Sequence, residues 1–141
     1  MTIDPIINGK LDKMEALFQH PTLALFNDLF TEDCDYITFN GQHLKGIEEN
    51  LLAHQRLSEM KLFRGATLQY RSVQIKATGP DTAIAIATGG IKFRWQKKLL
   101  QNRLSINTSV FIRQSDGDWK IASFQNGRIR KPGLLQRLLT K

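Results

Sequence analysis

The chain has 141 residues, 41% hydrophobic and 23% charged, which suits one compact globular domain and leaves two halves of about 70 residues each too small to hold separate cores. The longest purely apolar stretch, Ala83 to Ala87, falls far short of the roughly 18 residues of a membrane-spanning helix, and the lone cysteine, Cys34, excludes an intrachain disulfide and any multi-cysteine metal cluster. The formal charge of +7 is uneven: residues 1–91 carry 8 basic and 11 acidic groups, net −3, and residues 92–141 carry 12 basic and 2 acidic, net +10, which reads either as a solvated basic sheet face or as attraction for an anionic partner.

Taken in chain order, Leu11, Met14, Leu17 and Phe18 make the stripe of an amphipathic helix over residues 10–19. Pro21 interrupts it, and Thr22 is placed to cap a second short helix through Phe30. An acidic run, residues 31–35, leads to a strand over Tyr36 to Phe39 that ends at the turn pair Asn40-Gly41. Residues 46–63 form the clearest helix, with Glu48 and Glu49 in its first turn and Ile47, Leu51, His54 and Leu57 on one face. Gly65 is a plausible stop.

Beyond it the period changes to two, and residues 67–77, 82–95, 103–114 and 118–129 read as four long antiparallel strands. Helices segregated from a run of strands imply an α+β fold, a cone-shaped curved antiparallel sheet wrapped around N-terminal helices with an internal pocket. Gly89-Gly90 inside a strand supplies the bend that such a sheet needs. Residues 1–141 are read as a single domain, of which 130–141 form a basic tail. Its Leu134, Leu135, Leu138 and Leu139 form an apolar stripe expected to dock on the barrel, on a dimer mate or on an anionic surface. The N-terminus lacks the pattern of a signal peptide, so a cytoplasmic location is expected.

Four blocks of residues carry a resemblance. Residues 29–36 (LFTEDCDY), 41–46 (GQHLKG), 63–68 (FRGATL) and 116–126 (DGDWKIASFQN) resemble the SnoaL-like group of the nuclear-transport-factor-2-like superfamily, nearest the branch labelled SgcJ/EcaC family oxidoreductase. The resemblance covers roughly residues 11–129. It implies a conical α+β barrel with a deep pocket, often dimeric through the outer sheet face, in a group that includes ketosteroid isomerase-like and polyketide cyclase-like enzymes as well as pure binders. Ketosteroid isomerase-like chemistry needs a carboxylate base in an apolar pocket, yet residues 82–114 contain no acidic residue. No Gly-x-Gly-x-x-Gly loop occurs, and His20, His43 and His54 lack metal-ligand spacing, so neither cofactor nor metal is expected.

Several side chains could carry chemistry. His54, on the apolar face of the long helix, can point into the pocket as a general acid or base, or can satisfy a buried backbone group. Tyr36 can polarise a substrate oxygen or simply pack. Asn126, and after it Gln125, offers an amide at the pocket mouth, because one of the two must face inward. Trp95 is read as a pocket wall or a dimer contact. Asn107 is placed on the outer face, on the premise that Ile106, Val110 and Ile112 line the core. These residues point to a small-molecule-binding protein, an enzyme using general acid/base chemistry on a small apolar or polyketide-like substrate. The alternative is a non-catalytic dimeric ligand-binding or interaction module. A homodimer is the expected assembly, with no specific nucleic-acid partner and no membrane span.

Overall fold

The computed structural model describes residues 3–130 together with 138 and 139. Helix α1 runs over Asp4–Met14, with Pro5 in its first turn and Ile7, Leu11 and Met14 buried. The expected helix therefore begins six residues earlier and ends sooner, since Pro's fixed φ suits a helix start. Residues Leu17 and Phe18 continue the apolar stripe from turns beyond its end. Helix α2, Leu23–Leu29, begins as expected at Thr22, whose side chain accepts from the Leu25 N–H at 3.2 Å.

Strand β1 covers Phe30–Ile37. The acidic run is thus strand and not turn: Phe30, Cys34 and Tyr36 face inward while Asp33 and Asp35 project to solvent. The Asn40-Gly41 turn stands where the sequence places it, with Gly41 at φ +86°, a conformation that a Cβ disfavours. It leads into β2, His43–Lys45, a short strand not foreseen, paired antiparallel to β1. Helix α3, Gly46–Glu59, buries Ile47, Asn50 and His54, and a 3₁₀ turn over Lys61–Phe63 follows it.

The remaining strands are β3 Thr67–Gly79, β4 Thr82–Lys92, β5 Ser105–Arg113 and β6 Trp119–Arg128. They form an antiparallel meander in the sheet order β2-β1-β6-β5-β4-β3. The sheet is mixed, not wholly antiparallel, because β1 lies parallel to β6 through a register shift between Phe30 and Asp35. Its two edges do not meet, so the cone stays open. The bend sits at the expected glycines. A register shift between Tyr70 and Ser72 faces Gly89, and a Cβ there would collide with the Gln69 carbonyl oxygen. At Gly90 a Cβ would lie 2.6 Å from the Arg103 carbonyl oxygen.

The core lies between the concave face and the helices, joining Ile7, Leu11, Phe26, Phe30, Phe111 and Ile121, each at most 2% exposed. In the tail, Leu134 and Leu135 lie outside the described residues, and Leu138 and Leu139 are exposed.

Candidate functional site

Between the sheet and the helical layer lies a cavity of about 320 Å³. Met14, Leu17 and Phe18 close it from the α1 side, and Phe39, Leu62 and Phe63 contribute from the loops at its rim. Strands β3 and β4 add Leu68, Tyr70 and the bend at Gly89-Gly90, where the missing side chains leave room. Tyr36 of β1 and Phe124 of β6, neighbours in the ladder, stack at 4.4 Å between centroids as a continuous aromatic wall. Against this apolar surface stand a few polar groups: Ser105, Asn107, Asn126, Arg103 and Arg128. An apolar cavity with a handful of convergent polar groups is the usual form of a small-ligand site.

Of the residues singled out in the sequence, Tyr36 and Asn126 line the cavity together. Burial pushes the Tyr36 phenol well above its ordinary value, so it is a neutral O–H donor. His54 is not part of the lining. Its ring lies behind Tyr36, edge to face at 5.1 Å, and also meets Phe18 and Phe26. Nδ1–H donates to the Asn50 carbonyl oxygen one turn back at 2.9 Å. Burial holds this imidazole below its ordinary pKa, with the Asn50 hydrogen bond opposing the shift, so it is a neutral packing and positioning group.

Two expectations need correcting on position. Trp95 is 59% exposed and does not line the cavity, because β4 ends at Lys92 and the chain turns before it. It stacks on Phe93 at 4.9 Å, and Phe93 forms the wall instead. Gln125 is exposed, since it and Asn126 occupy opposite faces of β6 and Asn126 takes the inner one. The premise about β5 is also reversed. Asn107, Ser109 and Phe111 are the buried row, and Ile106 and Ile112 face out, 45% and 38% exposed.

Asn107 therefore lines the cavity, on the face opposite to the one expected. It sits directly opposite Asn126 across the β5–β6 ladder, and the two amides enter the cavity side by side. The side-chain oxygens of both are buried without a hydrogen-bond partner among the described residues, an arrangement that costs free energy unless a ligand or water satisfies it. Arg103 and Arg128, which also line the cavity, were not foreseen either, and no local feature of the sequence marks them. Cys34 is fully buried, and burial, with Asp35 and Asp33 beside it, pushes its thiol up to about 11. Among the described residues no three His, Cys, Asp or Glu side chains gather as metal ligands would, and no helix is long and apolar enough to cross a membrane.

Solved structures share this architecture. The chain superposes on a domain of unknown function with a cystatin-like fold from Nostoc punctiforme at a TM-score of 0.78 and 22% identity, covering 96% of this chain and 82% of that one. It superposes on an NTF2-like protein with a cystatin-like fold from Novosphingobium aromaticivorans at 0.77 and 18% identity, covering 98% and 88%. The chain has the NTF2-like, cystatin-like fold. A Shewanella frigidimarina protein provisionally described as a ketosteroid isomerase is also similar, at 0.68 and 22% identity, covering 89% of this chain and 97% of that one. No family model matches the sequence, and no curated protein does. These likenesses are to the NTF2-like fold as a whole and do not bear on the SgcJ/EcaC branch.

Proposed function

We propose that the protein binds a small, largely apolar molecule inside the cone, with Tyr36, Asn107 and Asn126 as hydrogen-bonding contacts. The observation that carries this reading is the aromatic-walled cavity into which two buried asparagine amides project with unpartnered oxygens. Among the described residues no carboxylate lines the cavity, so the arrangement suits binding and polarisation of a substrate oxygen and not proton abstraction by a carboxylate. His54 packs against the Tyr36 ring from behind, outside the cavity lining. Native mass spectrometry of the freshly purified protein, followed by extraction under denaturing conditions, tests the proposal. A defined small molecule retained by the wild type and lost when Ser105→Phe fills the cavity is the expected result. Equal retention by that variant would overturn it.

A homodimer belongs to the same proposal. Ile84 pairs with Val110 across β4 and β5, and with Ile86, Ile106 and Ile112 they make an apolar row on the convex sheet face. Such a row on a charged surface suits a self-complementary contact. Sedimentation of the wild type as a dimer and of Val110→Asp as a folded monomer is expected, and a monomeric wild type would refute the assembly.

A further inference from the structure

We propose that the ligand is an organic anion, a compact apolar body bearing a carboxylate head, and that Arg103 and Arg128 take the head; this rests on the ligand-binding reading above. The two arginines reach the same end of the cavity by the sheet's register. Arg103 closes the 3₁₀ turn before β5, and Arg128, the last residue of β6, lies directly opposite Ser105, the first residue of β5. The Ile129 N–H bond to the Leu104 carbonyl ties these two chain ends together at 3.0 Å.

Neither guanidinium joins an ion pair among the described residues. Among the described residues the ion pairs engage Lys10, Lys13, His43 and Arg113 and none of the cavity-lining side chains is a carboxylate. Each guanidinium instead lies over an aromatic ring of the cavity wall, Arg103 over Phe93 at 4.5 Å and Arg128 over Phe39 at 4.9 Å. Stacking covers the flat face and fixes the plane, leaving the N–H edges to donate in the fork that a carboxylate accepts bidentately. The Nε of Arg128 is buried with no hydrogen-bond partner among the described residues. A buried charged donor left unmatched is costly, and an oxyanion at this position would satisfy it.

The amides of Asn107 and Asn126 add to the same end of the cavity, since either can turn over to present its NH₂ to an oxyanion. Burial first, then Tyr36, Glu15 and Asp12, push the phenol of Tyr70, another lining residue, upward, so it is a neutral O–H donor. The apolar body of the ligand falls among Tyr36, Phe63 and Phe124. The cavity volume lies at the small end of the roughly 300–1,000 Å³ of ordinary ligand pockets, which selects a compact molecule.

The test is calorimetric titration of the full chain with aryl and alkyl carboxylates, from benzoate to octanoate and 2-naphthoate, each matched to its own primary alcohol. Carboxylates of fitting size are expected to bind about tenfold or more tighter than their alcohols, as charge-assisted bonds to a paired fork would give. Arg103→Gln and Arg128→Gln are each expected to shrink that ratio severalfold by weakening the carboxylates far more than the alcohols, and Lys76→Gln on the outer strand is expected to change neither. Alcohols binding as well as carboxylates would overturn the anion assignment while leaving the ligand-binding reading in place. Failure of both series to bind would overturn that reading itself. The wild-type ratio decides the matter even if an arginine variant does not fold.

Discussion

Replacing His54 by leucine should remove a pH dependence from the stability of the protein. The imidazole is 2% exposed, and its ring centroid lies 5.1 to 5.5 Å from those of Tyr36, Phe26 and Phe18. Its Nδ1–H is committed to the Asn50 carbonyl, which leaves the neutral tautomer in place. Burial holds the folded-state pKa below the ordinary 6.5. The unfolded chain therefore takes up a proton near pH 6.5 while the folded chain does not, so stability is complete above that value and falls as pH drops below it. At pH 5.5 the loss from this one group reaches up to about 1.4 kcal/mol, and with a slope of roughly 2 kcal/mol/M the urea midpoint moves by about 0.7 M. Urea unfolding of the wild type and His54→Leu at pH 8 and pH 5.5 isolates this contribution, because other titrating groups act in both proteins. A difference between the two proteins that stays flat over that interval would refute the assignment of His54 as a buried neutral group.

Tyr36→Phe should keep the fold, leaving the melting temperature within a few degrees, and weaken ligand binding by about three- to tenfold, the worth of one neutral hydrogen bond. Unchanged affinity would remove Tyr36 from the contacts. Gly90→Ala places a methyl 2.6 Å from the Arg103 carbonyl oxygen and should cost roughly 1–3 kcal/mol in thermal or denaturant unfolding; a neutral effect would mean that the bend tolerates a side chain. Lys10, 6% exposed, donates to the Asp28 carbonyl oxygen at 2.8 Å and pairs with the carboxylates of Asp28 and Asp118 at 3.1 and 2.9 Å. Lys10→Met should destabilise the fold by about 1–3 kcal/mol at pH 7. Lys13 first, and then Lys10, hold the Asp28 carboxyl below its ordinary 3.8. The stabilisation from that pair is present above about pH 4 and fades as pH falls through the folded value, so the deficit of the variant should shrink in acid. A deficit that persists unchanged at low pH would show that it comes from packing alone.

Local rules made much of the fold legible. The Thr22 cap, the Asn40-Gly41 turn, the start of α3 at Gly46 and the paired glycines of β4 each depend on a residue type whose backbone or side-chain preference is strong. The starts of the long strands were readable because period-two alternation begins sharply after Gly65. What failed was the assignment of faces. In β5 both faces alternate cleanly, but the inner row is Ser105, Asn107, Ser109 and Phe111, small and polar where the cavity lies, and the outer row is Ile106, Val110 and Ile112. Hydrophobicity alone therefore assigned the concave side to the wrong row. Trp95 was misplaced because alternation was carried three residues past the end of β4. Asn50, fully buried beside His54, was missed because the helical stripe was drawn through Leu51. The site arginines carry no local signature. Only the register that brings Arg128 opposite Ser105 unites them with the cavity.

The most direct test of the central claim is an NMR measurement of intermolecular contacts between the protein and bound 2-naphthoate. Naphthyl protons should show nuclear Overhauser effects to the rings of Tyr36, Phe63 and Phe124 inside the cone. Contacts confined to Ile84, Val110 and Ile112 on the convex face would contradict the account, because the ligand would then occupy the outer sheet surface and the cavity would not be its site.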